Sequence, residues 1–77
     1  MTKEEIAEKL GMSLDSVRGL ATPEQVADIL GVKTTAVQGW CRLKMIKCVQ
    51  IIPGGTLYRI YWSEVVRLKE EQDNDHS

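Results

Sequence analysis

Thr22-Pro-Glu-Gln-Val-Ala-Asp-Ile-Leu-Gly-Val-Lys-Thr-Thr-Ala-Val-Gln-Gly-Trp40 reads as a helix, a glycine turn and a second helix. The Thr22 hydroxyl can accept a bond from a free amide of the first turn, which makes it an N-cap. Gln25, three residues on, can bond back and complete a capping box. Pro23 stands at the first helical position, where its missing N–H costs nothing. Val26 and Leu30 lie four apart and share a helix face, and Ala27 is small where a second helix must cross closely. Gly31 can end the helix in the left-handed conformation. Val37 then faces the first helix from the second.

Toward the N-terminus the same pattern recurs, offset by twenty residues. Between the stretches starting at Thr2 and Thr22, seven of nineteen aligned positions are identical (Thr, Glu, Ala, Leu, Gly, Val, Gly). Thr2, Glu5, Ile6, Ala7, Leu10, Gly11 and Val17 repeat the roles just assigned. The expectation is a helix over residues 3–10 and a shorter one over residues 14–20, capped by Ser13. This first copy offers only Arg18 and Lys9 as cations for an anionic partner. Its expected role is structural, with Ile6, Leu10, Val17 and Leu20 enlarging the core or docking on another copy. A second working unit like that of residues 22–40, facing the same partner, is the sharper alternative.

Toward the C-terminus a second-copy helix over residues 34–43 leads into a connector, residues 44–47, with Ile46 pointing inward. Two β-rich runs follow, Cys48-Val-Gln-Ile-Ile52 and Thr56-Leu-Tyr-Arg-Ile-Tyr61, separated by Pro53-Gly54-Gly55. Branched and aromatic residues around a Pro-Gly-Gly turn predict a hairpin. Ser63 is the expected cap of a last helix over residues 64–71, with Val65, Val66 and Leu68 apolar. Residues 72–77 are polar and acidic and are expected to be unstructured. The predicted fold class is mainly α with a small β-hairpin.

Seventy-seven residues, 43% of them apolar, allow one small domain. No apolar run approaches the length of a membrane span. No basic-then-apolar leader opens the sequence, so a cytoplasmic location is expected. Cys41 and Cys48 fit no metal spacing, and the one histidine, His76, stands alone in the polar tail, so neither zinc nor any other cofactor is expected. Cys41 suits a small apolar packing position. A disulfide is possible in principle but not expected in a reducing compartment. Lacking a usable histidine, a phosphate-cradling loop and paired carboxylates in an apolar setting, the sequence does not read as an enzyme.

The net charge is −1, but its distribution is uneven. Between Asp28 and Glu64 there is no acidic residue, while Lys33, Arg42, Lys44, Lys47 and Arg59 give that stretch +5. A single-signed centre between acidic ends suits a protein that presents one face to a polyanion.

Taken together, Leu20-Ala-Thr-Pro-Glu-Gln-Val-Ala-Asp-Ile-Leu-Gly-Val32, the Val37-Gln-Gly-Trp40-Cys-Arg42 run, Gly54-Gly-Thr-Leu-Tyr58-Arg59-Ile60 and Ser63-Glu64-Val65-Val66 resemble the excisionase-like branch of the MerR-like winged helix-turn-helix superfamily. Phage excisionases and small phage or transposon regulators belong to it. The resemblance covers about residues 20–70. It implies a winged helix-turn-helix over residues 21–71, to which the repeat adds residues 1–20 as an extra N-terminal helical hairpin of the same domain.

In that family the second helix enters the major groove and the wing reaches an adjacent minor groove or backbone. Carried over, the DNA-facing positions are Lys33, Thr34, Thr35, Gln38 and Arg42 on the helix. Thr34 and Thr35 can hold a phosphate, Gln38 can pair with adenine, and Arg42 can reach a guanine edge or a phosphate. Gly54, Gly55 and Thr56 form the wing tip with Arg59 beside it. Lys44 and Lys47 are backbone contacts, while Trp40, Tyr58 and Ile60 belong to the core. A lysine replaces the family's usual serine cap at residue 33, and glycine replaces a basic residue at 39. These departures and a weakly basic wing imply modest intrinsic affinity and cooperative binding.

The implied function is sequence-specific binding of double-stranded DNA. The first expectation is an excisionase, a recombination directionality factor that binds cooperatively, bends DNA and serves an integrase, with self-association on DNA. A small transcriptional regulator needs the same module. A protein-binding adaptor, or a unit like the small terminase subunits of phages, is the alternative of a different class.

Overall fold

The computed structural model describes residues 1–55 and 57–74. Four α-helices and a two-stranded antiparallel hairpin make up the fold. In chain order these are α1 (Lys3–Leu10), a 3-10 turn (Leu14–Ser16), α2 (Pro23–Leu30), α3 (Thr34–Arg42), β1 (Cys48–Gln50), β2 (Tyr58–Ile60) and α4 (Trp62–Asn74).

The local signals for α2 hold, and those for α1 hold except that Glu5 does not bond back to the Thr2 amide, so no capping box forms there. The Thr2 and Thr22 hydroxyls accept from the Glu5 and Gln25 amides at 3.2 and 3.1 Å. In α2 the capping box is complete, since the Thr22 amide donates to Gln25 Oε1 at 2.9 Å. Gly11 and Gly31 end the two helices at φ 66° and 69°, a conformation that costs any other residue type more. Ile6 and Ala7 are buried on α1, and Val26, Ala27 and Leu30 on α2. Burial of such apolar faces supplies most of the stability of short helices.

The repeat breaks after its first helix. The helix expected over residues 14–20 is only the turn Leu14–Ser16, so residues 1–20 are not a helical hairpin. Ser13 caps no amide; its hydroxyl bonds to Ser16 Oγ at 2.8 Å. Val17 leaves helical geometry (φ −89°, ψ 81°) and is buried, and Gly19 takes φ 50°. The chain extends so that Ala21 can bridge Ile60, with N–H to O contacts of 2.7 and 2.8 Å in the two directions. A helix continued to Leu20 would forfeit both bonds and the complete burial of Ala21. Lys9 pairs with Glu70 at 3.0 Å, and the Arg18 Nε–H donates to the Asp15 carbonyl at 2.8 Å. The Glu70 carboxylate, accepting a hydrogen bond, holds the Lys9 ammonium above its ordinary pKa.

In the hairpin Cys48 faces Ile60, Val49 faces Arg59 and Gln50 faces Tyr58. Both strands are shorter than the β-rich runs, because the Ile51 amide makes the last cross-strand bond (to the Leu57 carbonyl, 2.9 Å) before the Pro53–Gly54 turn. Ile60, Val26, Val37, Val65 and Val66 are the fully buried centre, where α2, α3, β2 and α4 converge. Ile46 is buried as expected; Trp40 is half-buried at the core's edge.

The last helix is longer than expected at both ends. The Glu64 and Val65 amides bond to the Tyr61 carbonyl, so Ser63 lies inside α4 rather than capping it. Trp62 is buried, and its indole N–H donates to the Arg18 carbonyl at 3.4 Å. Gln72, Asp73 and Asn74, expected in an unstructured tail, belong to α4. Gln72 has a tertiary partner: its side-chain amide donates to the Leu30 carbonyl at 2.7 Å, at the C-terminus of α2 where carbonyls lack helical partners. The rest of the expected tail, residues 75–77 with His76, lies outside the described residues. Among the described residues no helix is long and apolar enough to cross a membrane.

Candidate nucleic-acid interface

Val37 and Cys41 turn one face of α3 into the core. The 3.6-residue period then puts Thr35, Gln38 and Arg42 in one exposed stripe on the other side. Thr34 is half-buried at the helix start. No side chain caps α3; the Ala36 and Val37 amides bond to the Lys33 carbonyl, and Lys33 is exposed at the N-cap. Free amides, two hydroxyls and a cation are thus gathered at the positive end of a helix, an arrangement suited to an anion.

The hairpin stands beside this stripe and makes three shallow clefts with it. Thr35, Gln38, Gly39 and Arg42 line the first, against Tyr58. Thr34 and Gln38 line the second with Leu57, Tyr58 and Arg59, and the N-terminus of α2 closes it with Glu24. The third, about 500 Å³ and open to solvent, joins Arg42, Lys44 and Lys47 to Gln50, Tyr58 and Tyr61. Seven of the positions singled out in the sequence therefore border one groove system: Thr34, Thr35, Gln38, Arg42, Lys44, Lys47 and Arg59. Lys33, Gly54 and Gly55 line none of the three clefts, and Thr56 lies outside the described residues.

Several lining residues were not among the sequence candidates, and Tyr58 and Glu24 matter most to the chemistry. Tyr58, buried as expected, shows its remaining edge to all three clefts. The alternation of buried and half-buried residues along Tyr58-Arg-Ile60 marks its inward direction but not what lies beside its edge. Glu24 brings a carboxylate to a region that is free of acid in sequence. It arrives through tertiary packing, because α2 crosses α3 at its N-terminus.

The electrostatics favour an anion. Among the described residues, none of Lys33, Arg42, Lys44, Lys47 and Arg59 forms a salt bridge, whereas Lys9, Arg67 and Lys69 all do. Arg59 is half-buried, with Nη1 donating to the Tyr58 carbonyl at 2.8 Å. Its guanidinium is anchored and keeps further donors for a ligand.

Two covalent and conformational constraints hold this face. Cys41 and Cys48 form a disulfide with a Cα–Cα distance of 5.7 Å, tying the last turn of α3 to the first residue of β1. This corrects the expectation that no disulfide would form, whereas the apolar packing position expected for Cys41 is met, since it is buried. Helix packing and the short connector bring the two cysteines together, which their spacing alone did not show. Lys44 is the described non-glycine residue with positive φ, at 59°. It closes the C-terminus of α3, where the Met45 amide reaches back to the Trp40 carbonyl at 2.9 Å. Glycine is the usual occupant of such a position, because a Cβ costs about 1 kcal/mol there. Lys44→Gly is accordingly expected to raise stability by about 0.5–1 kcal/mol in urea unfolding. A destabilised variant would mean that this turn is not left-handed in solution.

The chain contains a cation in a strained backbone position, on a surface where cations go unpaired. Comparison with family models, with characterised proteins and with solved structures finds no match to this chain, so its function is read from this geometry.

Proposed function

We propose that the chain is a winged helix-turn-helix protein that binds double-stranded DNA sequence-specifically and catalyses no reaction. The observation that carries this reading is the exposed Thr35–Gln38–Arg42 stripe of α3, bordered by Arg59, Lys44 and Lys47 with no paired carboxylate among the described residues. A helix of this kind fits the major groove, where Gln38 pairs with adenine and Arg42 with guanine, while Thr35 contacts a phosphate or a thymine methyl. Lys44 and Lys47 follow the backbone, and the hairpin serves as the wing over the next minor groove. Glycine at residue 39 leaves room for close backbone approach, since nothing lies within 4 Å of where its Cβ would be.

The resemblance of the sequence to excisionase-like proteins supports a role in recombination. The protein would act as an excisionase-type directionality factor, assembling with further copies on DNA beside an integrase in the cytoplasm of a bacterial or phage-infected cell. Direct repeats in the recovered site and bending on binding would accord with that role. A palindromic site and a stable dimer would indicate a transcriptional regulator instead.

The test is a titration into random-sequence duplex across a salt series, followed by fluorescence anisotropy. Most of five cations on phosphates gives a slope of log affinity against log salt of roughly −3 to −4.5. On a selected site, Arg42→Ala and Gln38→Ala should each weaken binding by about 1–3 kcal/mol, and Gln38→Ala should relax preference at one base. Lys47→Ala should weaken all sequences alike and reduce the slope by about 1. Absence of binding even at low salt would sink the proposal and favour a protein-binding adaptor.

A further inference from the structure

The end of the hairpin is apolar. Ile51, Ile52 and Leu57 are 49%, 53% and 50% exposed. The Ile51 amide bonds to the Leu57 carbonyl, so these two stand opposite one another, and strand alternation puts both on the hairpin face that carries Arg59. The turn is braced: the Gly55 amide donates to the Ile52 carbonyl at 2.8 Å, and Gln50 Nε2 donates to the Gly55 carbonyl at 2.7 Å. A Cβ on Gly55 would meet the Ile52 carbonyl oxygen at 3.1 Å, so glycine keeps the tip thin.

We propose that this tip is a wedge whose aliphatic side chains enter the minor groove and insert between neighbouring base pairs, kinking the duplex. The inference rests on the DNA-binding reading above and deepens it by naming what the wing does. Its chemistry matches on both counts. A base step offers apolar ring faces flanked by phosphates, and the tip offers aliphatic side chains with Arg59 on the same hairpin face, a cation that is not paired with a carboxylate among the described residues. The geometry matches as well. Leu57 and Arg59 share a cleft with Thr34 and Gln38 of α3, so one approach brings helix and tip to the same duplex. Exposed Ile and Leu act as wedges in other minor-groove proteins, and pyrimidine–purine steps open most easily. A TA or CA step one groove away from the α3 contacts is therefore the expected insertion point.

The probe is a duplex of about 30 base pairs recovered from a random pool by the protein itself, a length that spans nearly three turns. It is end-labelled for energy transfer and carries 2-aminopurine at successive steps. The full chain should draw the ends together and raise 2-aminopurine emission at one step. The triple variant Ile51→Ser, Ile52→Ser, Leu57→Ser, with its urea midpoint checked, should bind roughly tenfold more weakly, keep the salt slope, and neither bend nor unstack the duplex. Binding by the full chain with a normal salt slope but no unstacking overturns the wedge and leaves the DNA-binding reading standing. Equal unstacking by the serine variant also overturns it. No salt-dependent binding to any duplex sinks both readings. Serine-sensitive binding to anionic phosphatidylglycerol vesicles without DNA unstacking would instead assign the tip to a membrane surface and overturn the wedge.

Discussion

Ile60→Ala is expected to lower the stability of the domain by about 2–5 kcal/mol, the range for truncating a buried isoleucine where the surroundings cannot collapse. Ile60 is fully buried with Val26, Val37, Val65 and Val66. Its amide and carbonyl both bond to Ala21 on one edge, and the neighbouring Arg59 is paired with Val49 across the hairpin. Those bonds keep β2 from shifting to close the gap left by the lost methyl and methylene groups. A domain of this length has a total stability of roughly 4–12 kcal/mol, so one such change removes a large share of it. Urea unfolding with an unchanged slope would read the loss as a shift in midpoint. The exposed Leu57, close by on the same hairpin, supplies the control: Leu57→Ala should stay within about 0.5 kcal/mol. A loss under about 1 kcal/mol for Ile60→Ala would refute the central place of β2 in the core.

Opening the Cys41–Cys48 disulfide is the second large effect. The bond closes a short loop, with a sequence separation of 7. In the chain-entropy account a loop of that size is worth about 2.5 kcal/mol, because it restricts the unfolded chain. Addition of reductant should therefore lower the unfolding midpoint, and the double variant Cys41→Ser, Cys48→Ser should sit at the lower value with or without reductant. A midpoint indifferent to reductant in the unaltered chain would show that the two thiols are not joined in solution. In a reducing cytoplasm the thiol form is the expected one, and Cys41 then contributes as a buried apolar residue alone. The connector between α3 and β1, which carries Lys44 and Lys47, would lose its covalent clamp in that form.

The legible parts of this fold are those whose cause lies within a few residues. The Thr22–Gln25 box, Pro23 and Gly31 delimit α2 without help from the rest of the chain, and Thr2 and Gly11 do the same for α1. The α3 stripe was legible for a related reason: once Val37 and Cys41 face inward, helical period alone sends Thr35, Gln38 and Arg42 outward. The repeat misled where local signal and distant pairing disagreed. Residues 14–20 share Val17 and Gly19 with Val37 and Gly39 of the second copy, but two backbone bonds between Ala21 and Ile60 outweigh a weakly capped turn of helix. The helical ending at Gln72 was hidden likewise, since its partner, the Leu30 carbonyl, is 42 residues away.

For the candidate site, residue types and spacing determined which groups α3 presents, because a helix converts sequence into a face by a fixed rotation per residue. Tertiary structure decided what stands opposite that face. It set Tyr58 along the groove, carried Glu24 into it, left Lys33, Gly54 and Gly55 off its lining, and joined Cys41 to Cys48. The difference is one of range. Caps, turns and helical faces follow from short-range geometry, whereas the groove and the bridging bonds depend on how buried Val26, Val37, Ile60 and Val65 draw separate elements together, a balance that no local stretch contains.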